Sequence, residues 1–151
     1  FIVEDYMLLA VPKKYMMLQK AEKREGEKYP WMDISMMPNE FIIQDNSCYV
    51  RQEINQIFEE YGKELKPKMI VNSSMLAMQT LEREMGFCFI SEVFLPYITN
   101  TKDIDFFCIG KNKVKKTKTG IIYLKNKILS RQEKYCISVL KEKIRNGEIG
   151  A

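Results

Sequence analysis

The chain has 151 residues and a net charge of +4, which suits one domain or two small lobes and permits an anionic partner without requiring one. It contains no histidine, and this excludes Ser-His-Asp and Cys-His catalysis and histidine-based zinc sites. No apolar run reaches the length of a membrane span, and no secretion signal opens the sequence.

The first half of the sequence predicts two strands and one long helix. Residues 4–12 form a mostly apolar run that ends at a proline, the pattern of a buried strand. The short apolar run 41–43 predicts a second strand. Asn46 or Ser47 is expected to cap a helix that ends at Gly62. One face of this helix is apolar at helical spacing, with Val50, Ile54, Ile57, Phe58 and Tyr61.

The stretch 67–96 predicts a strand, a capped helix and another strand. Residues 69–71 are the first strand, and Asn72-Ser73-Ser74 opens the helix. Gly86 is expected to end the helix directly before the second strand at 87–90. Because the helix joins the two strands directly, we expect them to be parallel. Ligands of such units bind beyond the carboxyl ends of the strands, where helix N-termini present backbone N–H groups.

Two more strands, a lysine-rich segment and a last helix are predicted in the remainder. The strands fall at 104–109 and 120–124. The lysines between them, over 111–118, can hold phosphates, but the segment lacks arginine and interleaved aromatics. A solvated connector is therefore the favoured interpretation. Ser130 and Glu133 form a capping box. The helix that follows has one apolar face and leads into a frayed tail, with Cys136, Ile137, Leu140 and Ile144 on the face and residues 147–151 in the tail.

The chemistry-bearing residues form no catalytic or metal-binding pattern. No glycine-rich phosphate loop and no convergent pair of carboxylates occurs, so we expect no catalytic residue, metal site or cofactor. The cysteines lack metal-type spacing, and three of them lie in apolar runs, which favours buried free thiols in a reducing compartment. The four are Cys48, Cys88, Cys108 and Cys136.

The order of these segments resembles a known family. An apolar strand ending in Val-Pro is followed about thirty residues later by Phe-Ile-Ile, a polar turn and an amphipathic helix ending in Tyr-Gly. Next come Lys-Pro-Lys, an apolar strand, Asn-Ser-Ser-Met-Leu, a helix and Gly-Phe-Cys-Phe-Ile-Ser, and later Gly-Ile-Ile-Tyr-Leu-Lys and a capped helix. This order, over about residues 4–144, resembles the effector-binding domain of LysR-type transcriptional regulators, which has the fold of type 2 periplasmic binding proteins.

The resemblance implies an α/β fold made of one lobe, with a parallel or mixed sheet flanked by helices, and part of a second lobe. It assigns residues 12–90 to the family's second lobe, residues 1–11 and 91–146 to the hinge and the remainder of the first lobe, and 147–151 to a tail. The chain begins with Phe1 and not with Met, so we expect a winged helix-turn-helix and the first elements of the first lobe to lie outside it. The family further implies a cytoplasmic homo-oligomer that senses a small, anionic effector, contacts DNA only through the missing N-terminal domain, and neither contacts a membrane nor catalyses a reaction.

The resemblance also places the effector at the strand-to-helix turns. The candidate residues lie at two such turns and on the strand that follows: Asn46, Ser47, Cys48, Tyr49, Asn72, Ser73 and Phe87. At a helix N-terminus, unpaired N–H groups and partial positive charge hold an anion. The simpler interpretation is that the polar candidates only cap their helices and that the phenylalanine packs in the core.

Two other classes of protein stay open. A solute-binding protein of a transporter has the same fold, but the missing secretion signal and the cysteine pattern argue against it. A small α/β enzyme lobe, such as that of an amino-acid-biosynthetic dehydratase, is disfavoured because histidine and a convergent set of carboxylates are absent.

Overall fold

Strands and helices alternate along the computed structural model, which describes residues 2–145. The strands are β1 Ile2–Pro12, β2 Phe41–Gln44, β3 Met69–Val71, β4 Phe87–Ser91, β5 Ile104–Cys108 and β6 Lys116–Gly120. The helices are α1 Tyr49–Glu60, α2 Ser74–Glu82 and α3 Arg131–Arg145, and the longest of the short 3₁₀ turns is Glu92–Tyr97. The predicted α/β class is confirmed.

The six strands form one mixed sheet in the order β3-β2-β4-β1-β5, with β6 paired to β1 outside this path. β2 is parallel to both β3 and β4, so the strands that flank α2 are parallel as predicted, with β2 between them. β1 is antiparallel to its neighbours, and its two halves have different partners. Residues Leu8–Pro12 pair with β5, whereas Ile2–Tyr6 pair with β6.

The core lies on both faces of this sheet. On one face, Phe41, Phe87 and Phe89 pack with Phe58 of α1. On the other face, the strand residues pack with Ala77, Met78 and Leu81 of α2. Strands buried on both faces need continuous apolar runs, which explains the sequences of β1, β2 and β4.

The C-terminal ends of α1 and α2 are built differently. α1 ends at Glu60, and the predicted stop residue Gly62 follows it with a left-handed φ of 62°, while the Lys63 N–H donates to the Phe58 carbonyl. α2 already ends at Glu82, and Glu84 takes the left-handed conformation with a φ of 55°. The prediction that Gly86 ends this helix is therefore wrong. Gly86 is needed because a Cβ there would lie 2.3 Å from the Glu40 carbonyl oxygen.

The strand predicted at residues 120–124 is also wrong. β6 spans Lys116–Gly120 instead, because the N-terminal half of β1 offers its backbone groups to these residues. Ile122 and Leu124, which carried the prediction, are 94% and 77% exposed. The apolar side chains of this segment therefore lie on the surface of the described structure and do not form a strand.

The start of α3 follows the sequence prediction. The Ser130 N–H donates to Glu133 Oε2 at 2.9 Å, and the Glu133 N–H donates to Ser130 Oγ at 3.2 Å, which is the capping box. The predicted tail at residues 147–151 and the side chain of Ile144 lie outside the part of the chain that the structure describes.

The four cysteines are free, but they differ in burial. Cys88 and Cys108 are buried as predicted, and burial raises the pKa of their thiols to about 12 and about 11. Cys48 is half-buried. Cys136 is exposed, which corrects its expected burial: no side chain described between residues 111 and 143 is buried, so α3 does not pack into either core cluster.

Candidate functional site

A groove of about 560 Å³ lies where the first turns of α1 and α2 approach the end of β4 and strand β6. The helix side of the groove is formed by Cys48, Tyr49, Val50 and Ser74. The remaining walls come from β1, the last residue of β4, the segment after β4, and β6: Met7, Ser91, Val93, Phe94, Tyr97, Thr117, Lys118 and Thr119.

The topology of the sheet explains this position. β2, β3 and β4 are parallel, so their carboxyl ends at Gln44, Val71 and Ser91 meet at one edge of the sheet. β2 and β3 lead directly into α1 and α2, so both helix N-termini lie at the same edge. This is the edge at which parallel α/β sheets bind ligands.

The first turn of α1 carries no side-chain cap. Its N-cap residue is Cys48, whose side chain makes no capping hydrogen bond among the described residues, so the prediction that Asn46 or Ser47 caps this helix is wrong. Ser47 is turned back instead, since its N–H and hydroxyl both donate to Asp45 Oδ1, at 2.9 and 2.5 Å. These bonds lower the pKa of the Asp45 carboxyl. Cys48, Tyr49 and Val50 line the groove, so the partial positive charge of this helix end lies beside it.

The first turn of α2 is capped, and the residue after the cap lines the groove. Ser73 Oγ accepts from the Leu76 N–H at 3.2 Å, which agrees with the simpler interpretation that this residue caps its helix. Ser74 Oγ accepts from Gln44 Nε2 at 3.3 Å. Gln44 is fully buried, and its Oε1 has no hydrogen-bond partner among residues 2–145. A buried amide is therefore only half satisfied directly behind the groove.

The opposite wall is organised by Asp5 of β1, which is 6% exposed. Its carboxylate accepts from Ser91 Oγ at 2.5 Å, from Thr117 Oγ1, and from the Val93 N–H at 3.4 Å. One side chain thus joins β1, the end of β4 and β6. Sequence reasoning missed these residues, although a carboxylate inside an apolar strand is an unusual feature that could have marked them.

The sequence candidates fall into three groups. Cys48 and Tyr49 line the groove, and the Tyr49 hydroxyl donates to Glu53 Oε1 at 2.9 Å, which raises the pKa of the phenol. Asn46, Ser47, Asn72 and Ser73 lie in the two turns but do not line the groove. The turns are linked, because Cys48 Sγ donates to the Asn72 carbonyl at 3.7 Å.

Phe87, the remaining candidate, lies away from the groove. It is fully buried in the core on the α1 face. Its ring contacts Tyr15 and Phe41, with centroid distances of 4.6 and 5.7 Å. Core packing accounts for this side chain.

The lysine-rich segment forms a surface of mixed charge. Residues 111–115 connect β5 to β6 as expected, but residues 116–118, which were predicted to belong to the same connector, are part of strand β6. Lys115 Nζ lies 3.2 Å from Glu53 Oε2 and donates to Gln56 Oε1 at 3.1 Å, and Lys118 pairs with Glu4 at 3.2 Å. Because acidic partners are interspersed, this segment is not a continuous cationic track of the kind that binds nucleic acid.

The described part of the chain offers neither a metal-binding cluster nor a membrane-spanning helix. Among residues 2–145, no group of three or more Cys, Asp or Glu side chains is arranged to hold a metal ion. Within the same range, none of the helices has both the length and the apolar character needed to cross a membrane.

Comparison with known proteins gives matches in structure only. No family model and no curated protein matches the sequence. The effector-binding domain of QuiR in complex with shikimate superimposes with a TM-score of 0.61 at 14% identity, over 91% of this chain and 62% of that chain. The regulatory domain of CcmR from Synechocystis PCC6803, in complex with 2-PG, superimposes with a TM-score of 0.62 at 12% identity, again over 91% of this chain and 62% of that chain. A LysR-family regulator from Pseudomonas aeruginosa gives 0.65 at 14% identity, over 95% of this chain and 48% of that chain. This chain therefore spans less than two thirds of the length of these matches.

Proposed function

We propose that this chain, which has the fold of the effector-binding domains of LysR-type regulators, senses a small anionic metabolite for such a regulator. The observation that carries the proposal is the convergence of two helix N-termini on one groove of about 560 Å³. Solved domains of this fold hold shikimate in QuiR and 2-PG in CcmR, which supports a small-molecule ligand. The role requires binding and no catalysis.

The groove supplies contacts suited to an anion. The Cys48 side chain does not cap the first turn of α1. Backbone N–H groups of this turn can therefore donate to a carboxylate. Ser74 at the start of α2 adds a hydroxyl, and Tyr49 and Val50 supply apolar surface beside these polar groups. An anion held in this way gains several charge-assisted hydrogen bonds at once.

The path of β1 and β6 suggests how binding is transmitted. Residues 7–12 of β1 belong to the sheet with β4 and β5, whereas residues 2–6 pair only with β6. We therefore place one lobe at about residues 7–109, the hinge in the paired strands 2–6 and 116–120, and the remainder of the other lobe after them. This division moves β5 into the lobe that the resemblance assigned to residues 12–90.

A ligand between two lobes changes their closure when it binds the two states with different affinity. In the full-length protein, this change would alter how attached DNA-binding domains engage an operator. The proposal includes a cytoplasmic location, where a regulator meets its operator, and a homo-oligomer, because paired DNA-binding domains match paired half-sites.

The test is a thermal-shift screen of anionic metabolites on the full chain, followed by calorimetry of each compound that raises the melting temperature. Ser74→Ala should weaken binding of a true ligand by roughly 10- to 100-fold, because one hydrogen bond to a charged group is lost. Ser138→Ala is the matched control, since Ser138 is an exposed serine of α3 that bonds the Tyr135 carbonyl. The proposal fails if no compound binds, or if Ser74→Ala and Ser138→Ala bind equally well.

A further inference from the structure

The two walls of the groove present opposite hydrogen-bonding character. On the wall formed by β1, β4 and β6, the Ser91 and Thr117 hydroxyls both donate to the Asp5 carboxylate. A hydroxyl has one proton and two lone pairs, so each of these oxygens turns only lone pairs toward its remaining neighbours. Both residues line the groove. This wall is therefore an acceptor surface at these two positions.

The burial of Asp5 fixes that polarity. Asp5 is 6% exposed and its carboxylate can only accept, so neither hydroxyl can rotate its proton away without leaving a buried charge underbonded. The Val93 N–H, at 3.4 Å, adds a third donor to the same carboxylate. Lys118 also lines this wall, but it pairs with Glu4 at 3.2 Å.

The helix wall has the reverse polarity. Ser74 Oγ accepts from Gln44 Nε2, which leaves the hydroxyl proton of Ser74 free to be donated. Gln44 is fully buried, and the amide nitrogen, not the oxygen, is the atom that it turns toward Ser74. Ser74 thus acts as a donor beside the first turn of α1.

We propose that the groove selects a carboxylate that also carries a hydrogen-bond donor, with the carboxylate at Ser74 and the donor at Ser91 and Thr117. This inference rests on the proposed function and specifies its ligand class. A hydroxyl or an ammonium group satisfies the acceptor wall, whereas a keto oxygen in the same place meets only lone pairs. Asp5 is the positioning residue that sets this preference, and it acts through the two hydroxyls.

The experiment uses two series of carboxylates in which only the 2-substituent changes. The five-carbon series is 2-hydroxyglutarate, glutamate, glutarate and 2-oxoglutarate, and the three-carbon series is lactate, alanine, propionate and pyruvate. Calorimetry on the full chain should show, in at least one series, that the hydroxy or amino member binds at least about tenfold more tightly than its keto partner. Comparing the affinities of the hydroxy and amino members shows whether the groove prefers a neutral or a cationic hydrogen-bond donor.

Variants of the acceptor wall connect this preference to Asp5. In Asp5→Asn, the new amide group donates to one of the two hydroxyls, whose proton then turns into the groove, so the preference should fall below about threefold or reverse. Thr117→Val keeps the side-chain shape on β6 and removes one acceptor, so it should reduce the preference even if Asp5→Asn does not fold. Asp103→Asn, which changes an exposed aspartate bonded to Asn100, should leave the preference unchanged.

The outcomes separate this inference from the proposed function. Binding of the keto and deoxy members as tightly as the hydroxy and amino members overturns the ligand class while leaving an anion-binding groove. A preference that survives both Asp5→Asn and Thr117→Val overturns the role of Asp5. Failure of every member to bind, together with an empty metabolite screen, overturns the inference and the proposed function alike.

Discussion

Two buried carboxylates, Asp5 and Glu92, hold together segments that are distant in the chain. Each is 6% exposed, and a buried charge is tolerated only when donors satisfy it. Glu92 accepts from Lys28 Nζ and from the Tyr29 hydroxyl, the latter at 2.7 Å. Thr117, which donates to Asp5, lies 112 residues further along the chain. No local sequence pattern indicates that Asp5 and Thr117 will meet. Sequence reasoning could therefore locate serines at helix starts but not these buried carboxylates and their partners.

Glu92 makes stability depend on pH. Burial by itself raises the pKa of this carboxyl, but the hydrogen bonds from Lys28 and Tyr29 outweigh it and hold the pKa below its ordinary value of 4.5. A carboxyl with a lowered pKa in the folded state stabilises the fold above its unfolded pKa and loses this contribution as the pH falls through its folded pKa. We expect Glu92→Gln to lower the free energy of unfolding by about 1 to 3 kcal/mol at pH 7 and by less as the pH drops below 4.5.

Urea unfolding of the wild type and Glu92→Gln at pH 7 and near pH 3 measures this difference. Glu25→Gln is the control, because Glu25 is an exposed glutamate in the loop just before Lys28 and Tyr29. A difference between Glu92→Gln and the wild type that stays constant with pH would contradict the role given to the ionised carboxylate.

The helices and strands follow local signals where those signals are complete. The apolar spacing predicted α1, and Gly62 predicted where it stops. The capping box predicted the start of α3. The α1 cap was predicted wrongly because Ser47 bonds backward to Asp45. The strand at 120–124 was predicted wrongly because the pairing partner of β6 lies in the first residues of the chain. An apolar run shows that a segment avoids water, but not which backbone it will pair with.

The uncapped start of α1 suggests a trade between stability and binding. Cys48 occupies the N-cap position without a side-chain capping bond, and it lines the groove. Cys48→Asp should raise the free energy of unfolding by about 1 kcal/mol, because aspartate is a favourable N-cap. The same carboxylate should weaken binding of an anion at least about tenfold, because like charges brought together are strongly unfavourable. Urea unfolding measures the first effect and calorimetry the second.

Cys48→Ser separates the two effects, because serine also caps a helix but adds no charge. It should stabilise the chain while keeping most of the affinity. If Cys48→Asp and Cys48→Ser bind the anion equally well, the first turn of α1 does not contact the ligand.

The whole molecule divides into a packed part and an exposed part. The buried side chains that form the two core clusters lie between Met7 and Ile109. No side chain described between residues 111 and 143 is buried. Large apolar side chains there face solvent, among them Ile122, Leu124 and Ile128. Segments with few buried contacts open locally at low free energy.

Limited proteolysis should reveal this division. We expect trypsin to cut first after Lys125 or Lys127, which lie in the exposed segment between β6 and α3, and to leave residues 7–109 intact at that stage. Replacing both lysines with glutamine should delay the first cut several-fold, whereas replacing exposed Lys20 and Lys23 should not. First cleavage inside the range 7–109 would contradict this division.

The sequence by itself determined the α/β alternation, the apolar strands, most helix boundaries, and the turns at which the helices begin, because each depends on spacing or capping within a few residues. Only the tertiary structure decided which of those turns line a groove, how Gly86 fits against Glu40, and where β6 pairs. It also brought Ser91 and Thr117 to the same carboxylate. The reason is physical. The hydrogen bonds that satisfy a buried charge and the pairing of distant strands depend on the whole path of the chain, which a short stretch of sequence does not contain.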